Sequence, residues 1–250
     1  MDEWRRALSP EGMERVLSGL AETVGPAGRV RLLFHSIAFG NLKPIAPVAP
    51  DARPQAAIDR LAATLGVEPE RLTEAVSRLL EEGHAPLNTL LSPEHSDLLI
   101  ADDDMARTIY SMGSSLLTWV QALYGRGLFA ADARVLGMTS EGNEVAWRGY
   151  AAVSAAKVVL EAVARAVALE FAPHGIRANI IQAGVTDTPA LRLIPGSSQM
   201  KAVAALRNPF RRLTRPEDVA GFICLMCTDE AAWVNGALLR VDGGEHIASM

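Results

Sequence analysis

The 250-residue chain lacks the features that mark a secreted, membrane or metal-binding protein. It contains only two cysteines, Cys224 and Cys227, in an apolar stretch, and no second cysteine or histidine pair lies nearby to complete a metal site. No apolar run approaches the roughly 18 residues that a membrane-spanning helix needs. The N-terminus has no apolar signal-peptide core. We therefore predict a cytoplasmic protein with no metal and no membrane partner.

The chain is also poor in concentrated charge. It carries 24 Lys and Arg residues against 29 Asp and Glu residues, a formal net charge of −5. Nucleic-acid binding is typical of proteins whose basic residues form a patch or stripe. Here the basic residues are scattered along the chain. We therefore expect no nucleic-acid partner.

Apolar residues are abundant, at 49%, and they follow two alternating patterns. Short, largely apolar runs bounded by glycine are typical of strands buried on both faces of a parallel sheet. Segments with helical spacing separate them, which indicates an α/β fold with a doubly wound, Rossmann-like parallel sheet. The predicted strands are RVRLLFHSIAFG, ARVLGMTS, IRANIIQAG and GALLRVDGG, and the predicted helices are Ser9–Val24, Asp104–Leu123, Gly149–Phe171 and Pro216–Cys227.

Residues 41–103 interrupt this alternation. Four prolines occupy its beginning, and two amphipathic helices follow near residues 56–65 and 69–82. We interpret the segment as a helical insertion within a single domain that spans residues 1–250. It is either a lid over a pocket or an inert decoration, and the residues favour neither.

Candidate chemistry follows the second predicted strand. Ligands of open α/β sheets bind beyond the carboxyl ends of the strands, where Ser140 lies. Tyr150 and Lys157 are seven residues apart, two helical turns, so they share one face. An ammonium beside a phenol favours the phenolate and lowers the phenol pKa, which would suit a proton donor. The alternative is an ordinary helix-start tyrosine and a surface lysine.

A second candidate site follows the third predicted strand. Gly184 leaves room for a ligand to approach the backbone. Thr188 is placed to cap a helix that begins at Pro189, and the free N–H groups of a helix N-terminus suit a phosphate. Plain turn and cap chemistry is the alternative.

Four features in matching order carry a family resemblance. They are HSIAFG at residues 35–40, the Tyr150-x6-Lys157 spacing, IRANIIQAGVTDT at 176–188, and the tail NPFRRLTRPEDV…NGALLRVDGG at 208–244. Together they resemble the short-chain dehydrogenase/reductase family, and the x6 spacing resembles its enoyl-acyl-carrier-protein reductase branch. The resemblance covers about residues 9–247, apart from the insertion.

The resemblance implies an NAD(P)-dependent reductase that acts on an enoyl or keto group of an acyl thioester or an acyl-carrier-linked substrate. It further implies a homodimer or homotetramer. The matching positions imply that Tyr150 stabilises the substrate oxygen, Lys157 holds the nicotinamide ribose, and Ser140 lies beside the nicotinamide. The remaining cofactor-binding positions implied by the match are Ser36, Ile37, Gly184, Thr186 and Thr188. Residues 190–206 resemble the family's mobile substrate-binding segment, and the match implies a hinge at residues 196–198.

The chain departs from the family at two places. Where enoyl reductases usually have a second tyrosine after the strand-end serine, it has Glu141, and a buried carboxylate disfavours an acyl thioester. It also lacks the glycine-rich turn between a strand and a helix that holds the cofactor pyrophosphate and precedes the residue choosing NAD or NADP. We therefore expect the N-terminal strands of the sheet to be missing, because the chain is truncated or because it is natively a half-sheet.

Two consequences follow from the missing turn. The strand at residues 30–34 should form an exposed apolar edge unless a second chain or the insertion covers it. The alternative function is a non-catalytic relative that serves as a binding or assembly protein without the dinucleotide site.

Overall fold

The structure, a computed structural model, describes residues 9–248. Within them, four parallel strands form one sheet in the order β1-β2-β3-β4. The predicted parallel α/β sheet is therefore confirmed. The strands are β1 (Val30–His35), β2 (Phe129–Ser140), β3 (Ile176–Ala183) and β4 (Leu238–Val241).

Helices connect and cover these strands. Their bounds agree with the sequence patterns to within a few residues, and short 3-10 turns lie between some of them. The helices are α1 (Pro10–Val24), α2 (Arg53–Leu65), α3 (Pro69–Glu81), α4 (Asp102–Ile109), α5 (Ser115–Gly125), α6 (Ala151–Glu170), α7 (Pro189–Arg192), α8 (Ser197–Arg207) and α9 (Pro216–Met226).

The main core lies between α5, α6 and one face of the sheet. Val120, Val135 and Leu160 belong to it and are fully buried. Successive side chains of a strand point to opposite faces, so Arg134 leaves the other face of β2. There it donates from Nε to the carbonyl oxygen of Met226 at 3.0 Å, at the end of α9. Helices thus lie on both faces of the sheet, as the doubly wound pattern predicted.

The helix predicted over Asp104–Leu123 is not continuous. A π-helical turn at Tyr110–Ser114 separates α4 from α5. A Cβ atom added to Gly113 would lie 2.8 Å from the carbonyl oxygen of Ala156 in α6. The turn therefore brings backbone against backbone, which the helical periodicity of the sequence does not reveal.

The insertion packs on α8, not along β1. Ile58 of α2, Val76 and Leu80 of α3, and Ala202 of α8 share one buried apolar cluster. Strand β1 lies at the edge of the sheet, where Phe34 is 36% exposed. The suggestion that the insertion covers the edge strand is therefore wrong.

No helix formed by residues 9–248 is both long enough and apolar enough to cross a membrane.

Candidate functional site

A cavity of about 430 Å³ opens at the carboxyl ends of β1, β2 and β3. We call it the strand-end chamber. Ser36 follows β1, Ser140 ends β2, and Gly184 follows β3, so parallel pairing brings these three positions to one edge. Tyr150 and Lys157, from the start of α6, complete the polar part of a lining that is otherwise largely apolar.

Tyr150 occupies the N-cap position of α6, directly before the helix begins at Ala151. Burial raises the pKa of its phenol, and the neighbouring Ser140 hydroxyl opposes that rise. The phenol is therefore neutral at physiological pH. This corrects the expectation that Lys157 lowers the pKa of Tyr150, because burial dominates in the protein alone.

Lys157 is 6% exposed, and its Nζ donates to the carbonyl oxygen of Met138 at 2.7 Å. Burial lowers the pKa of its ammonium to about 8, and the Glu161 carboxylate one turn later opposes this shift. The same carboxylate accepts hydrogen bonds from Thr139 Oγ1 at 2.7 Å and Asn143 Nδ2 at 2.8 Å. Lys157 is thus held against the end of β2 and is not a surface lysine.

Ser140 supplies an enclosed polar group at the centre of the site. Its Oγ makes no well-formed hydrogen bond among residues 9–248, although it lies close enough to the Tyr150 phenol to oppose the rise of that pKa. A buried hydroxyl without a partner is costly, which is a reason to expect a ligand atom beside it. The residues around Ser140 therefore fit a bound cofactor or substrate.

The remaining predicted cofactor positions divide into two groups. Ser36, Gly184, Thr186 and Thr188 all line the strand-end chamber. Ile37 does not lie in the lining, because its side chain packs against the buried cluster formed around Met112, Val153 and Ala156.

Thr188 caps a helix as predicted, accepting a hydrogen bond from Leu191 N at 3.1 Å. That helix, α7, contains only four residues. A helix dipole is the sum of aligned peptide units, so this single turn offers a phosphate much less than a helix of several turns would.

Gly184 lies in tightly packed surroundings. A Cβ atom there would lie 2.5 Å from Thr214 Oγ1 and 2.8 Å from Glu245 Oε2. The missing side chain makes room for these two residues, and the role of Gly184 toward a ligand stays a prediction.

A second cavity of about 410 Å³ lies on the other side of Tyr150. It shares Ser140, Tyr150 and Gly184 with the strand-end chamber. Its lining also contains Glu141 and other charged side chains, so we call it the ion-pair chamber. The two cavities meet at Ser140 and Tyr150, two of the three residues predicted to be catalytic.

Three charged residues form the cluster that gives the ion-pair chamber its name. Arg207 at the end of α8 donates from Nη1 to Glu141 Oε1 at 2.9 Å and from Nη2 to the other oxygen of Glu141. Its Nη2 also reaches Glu245 Oε1 at 3.2 Å. Burial raises the pKa of Glu245, which is 2% exposed. Neither Arg207 nor Glu245 was predicted from the sequence.

The insertion and the predicted mobile segment form part of the wall of the ion-pair chamber. Gln199 of α8 donates from Nε2 to the carbonyl oxygens of Leu91 at 2.9 Å and Asn88 at 3.4 Å, and Asn88 lines the chamber. Trp147 donates to the carbonyl oxygen of Pro195 at 3.0 Å. The insertion is therefore joined to the site and not merely attached to the surface.

The predicted hinge at residues 196–198 is tightly packed. Gly196 adopts a positive φ of 79°, and a Cβ atom there would lie 2.9 Å from Pro93.

Within the described residues, no group of three or more His, Cys, Asp or Glu side chains is placed to hold a metal ion.

Comparison with known proteins gives consistent results. Residues 87–246 match the family model described as enoyl-(acyl carrier protein) reductase. The chain is 36% identical to a cis-4-hydroxycyclohexanecarboxylate dehydrogenase of Sinomonas cyclohexanicum, over 48% of this chain and 45% of that protein. It is 34% identical to the NADH-dependent enoyl-acyl-carrier-protein reductase of Escherichia coli K12, over 50% of this chain and 48% of that protein.

A solved structure shows the same fold. The enoyl-acyl-carrier-protein reductase (NADH) of Aquifex aeolicus superimposes with a TM-score of 0.56 and 26% identity, covering 60% of this chain and 58% of that one. The chain spans about half the length of these curated relatives.

Proposed function

The chain belongs to the short-chain dehydrogenase/reductase family, in its enoyl-acyl-carrier-protein reductase branch, and we propose that it is a reductase that uses NADH or NADPH. Its substrate would carry an enoyl or keto group, in an acyl thioester or a similar apolar carbonyl compound. The observation that carries this proposal is the convergence of Ser140 and Tyr150 where the two chambers meet, with Lys157 on the strand-end side.

The strand-end chamber would hold the dinucleotide. A reduced nicotinamide, when bound, supplies the hydride for the reaction. Ser36, Thr186 and Thr188 offer hydroxyl groups along this chamber. The Lys157 ammonium has three hydrogens, and the bond to Met138 uses one of them. The other two are available for the ribose hydroxyls.

The ion-pair chamber would hold the substrate, with its oxygen near Tyr150. The phenol is neutral, because burial raises its pKa, and it can donate a hydrogen bond to an oxygen that becomes negatively charged. The Ser140 hydroxyl, beside the Tyr150 phenol, is placed to act as a second donor. Donors fixed in an enclosed site stabilise developing charge without reorganising during the reaction.

A non-catalytic binding or assembly protein is the second candidate function. One observation favours it: within residues 9–248, no glycine-rich turn follows a strand and opens a helix. Such a protein would bind a ligand in the chambers without turnover.

Removing the phenol oxygen of Tyr150 distinguishes the reductase from the non-catalytic binding protein. Tyr150→Phe should lower turnover of enoyl and keto thioesters by about 100-fold or more, the usual contribution of a positioned proton donor. Binding of NADH and NADPH should remain. Tyr124→Phe is the matched control, since Tyr124 is exposed and its hydroxyl contacts His174 at 2.9 Å.

Turnover by Tyr150→Phe at the parental rate would show that the assigned role is wrong. Cofactor or ligand binding without turnover of any carbonyl substrate by the unmodified chain would favour the binding protein.

A further inference from the structure

The ion-pair chamber contains more negative than positive charge. Most of its lining is apolar, and side chains such as Val145, Leu191 and Met200 belong to it. Against this surface, one guanidinium, that of Arg207, faces the carboxylates of Glu141 and Glu245. Both oxygens of Glu245 also accept from the backbone N–H of Val185, so two carboxylates with a net negative charge face a single cation.

Arg207 has no donor pair left for an anionic ligand. Its Nη1 and Nη2 atoms are both engaged by Glu141, and Nη2 is shared with Glu245. Its Nε is enclosed and has no hydrogen-bond partner within the described part of the chain. A carboxylate normally binds arginine through two parallel N–H groups. A carboxylate ligand would have to displace Glu141 and would meet the negative charge of Glu245.

Glu141 keeps unused acceptor capacity. A carboxylate offers about four lone-pair sites, and the fork of Arg207 uses one on each oxygen. The Nδ1 atom of His246 is 3.8 Å from Glu141 Oε1, too far for a hydrogen bond. The Glu141 side chain is 23% exposed and lines the chamber together with Tyr150. Because the carboxylate is partly exposed, its remaining lone pairs are accessible to water until a ligand enters.

Removal of that water discriminates between ligands. A hydrocarbon group over the pair would desolvate both charges and return no hydrogen bond, which is strongly unfavourable for buried ions. A hydroxyl or amine would replace the lost water at the free lone pairs of Glu141. The apolar walls would still accept the rest of the molecule.

We propose that Glu141, held by Arg207, accepts a hydrogen bond from a hydroxyl or amine group of the substrate. The ion-pair chamber then selects a carbonyl compound whose apolar body carries such a donor over the matching hydrocarbon or carboxylate. This inference rests on the proposed function, because it assumes that the reduced carbonyl lies at Tyr150.

The test compares four ketones of similar size with NADH and with NADPH: 4-hydroxycyclohexanone, 4-aminocyclohexanone, 4-methylcyclohexanone and 4-oxocyclohexanecarboxylate. We expect kcat/KM for the hydroxy or the amino ketone to exceed that for the methyl ketone by about tenfold or more, since a site built for a donor rejects the analogue that lacks it. The better of these two identifies the donor. The carboxylate should be the poorest substrate.

Glu141→Met should bring the ratio of kcat/KM for the better of the hydroxy and amino ketones to that for the methyl ketone close to one. Glu144→Met is the matched control, because Glu144 is three residues away, 50% exposed and outside the chamber lining, and it should keep the unmodified ratio. The ratio measured for the unmodified chain tests the inference without depending on whether a variant folds. A value of one or less overturns the inference, as does a preference for the carboxylate or an unchanged ratio in Glu141→Met.

Failure of the proposed function would look different. If no ketone is reduced, binding of the same four compounds is measured by ligand-detected NMR. Tighter binding of the hydroxy or amino ketone that disappears in Glu141→Met supports the inference without turnover. Equal binding of all four, or no binding of any, overturns it.

Discussion

The two chambers on either side of Tyr150 differ in how they are built. The strand-end chamber takes its polar residues from the ends of three neighbouring strands and from the first turns of α6. The ion-pair chamber takes its charges from the loop after β2, the end of α8 and the C-terminal segment. The first is therefore a product of the sheet, whereas the second depends on contacts between distant segments. The difference locates shared chemistry in one chamber and selectivity in the other.

The largest effect is expected where the two chambers share a wall. Gly184→Ala places a Cβ atom 2.5 Å from Thr214 Oγ1 and 2.8 Å from Glu245 Oε2. Overpacking of this kind costs roughly 1 to 3 kcal/mol, and urea denaturation should show that loss of unfolding free energy. Both chambers should lose ligand binding together.

Gly221→Ala is the control for that change. Gly221 lies in α9, and an added Cβ atom would have nothing within 4 Å. The substitution should stabilise the chain, by up to about 1 kcal/mol, because alanine favours a helix. Equal stability of the two variants would contradict the crowding described at Gly184.

A smaller effect should separate the chambers by pH. The pKa of Lys157 is lowered to about 8, so the free protein loses the ammonium as pH rises through that value. If binding of a negatively charged dinucleotide requires the ammonium, the Kd for NADH should rise about tenfold between pH 7 and pH 9, by linkage. Fluorescence of the reduced nicotinamide measures this.

Lys157→Met removes the titrating group and should bind NADH more weakly at both pH values. Its Kd should not change over this range. A Kd of the unmodified chain that stays constant from pH 7 to pH 9 would show that the ammonium does not hold the cofactor.

The smallest effect concerns the wall between the insertion and α8. Gln199→Met keeps the size of the side chain but removes its hydrogen bonds to Leu91 and Asn88. A lost hydrogen bond of this kind costs about 1 kcal/mol. Stability should fall by that amount in urea denaturation, and NADH binding should stay the same, since Gln199 lines only the ion-pair chamber of the two.

Gln55→Met provides the comparison, because Gln55 is exposed and its amide contacts Asp59 at 2.8 Å. Surface changes of this type usually stay within about 0.5 kcal/mol. A weaker NADH affinity in Gln199→Met would mean that the two chambers are coupled through the insertion.

The contrast between the chambers also explains how far the sequence could predict the site. Ser140 and Gly184 were found because each follows a buried apolar strand, and parallel strands end at one edge. Tyr150 and Lys157 were paired by helical spacing alone. These predictions rely on strand ends and helical spacing, which are set by residues close to one another in the sequence.

The ion cluster could not be predicted in the same way. Arg207 is 66 residues from Glu141 and 38 from Glu245, and no periodicity connects them. Glu141 beside Ser140 did carry a signal, since a partly buried carboxylate needs a cation. With 24 Lys and Arg residues in the chain, only the fold identifies which one. The same holds for the pKa of Tyr150, because burial is a property of the tertiary structure.

The most direct test of the account is a fluorescence titration with NADH and NADPH of the unmodified chain and two tryptophan variants. Ser36→Trp fills the strand-end chamber and Val145→Trp fills the ion-pair chamber, and both positions are exposed, so the fold should tolerate them. The account predicts saturable binding near micromolar concentration, a Kd raised by about 100-fold in Ser36→Trp, and a Kd within about twofold in Val145→Trp. No binding of either cofactor up to millimolar concentration, or a loss of binding in Val145→Trp alone, would contradict it.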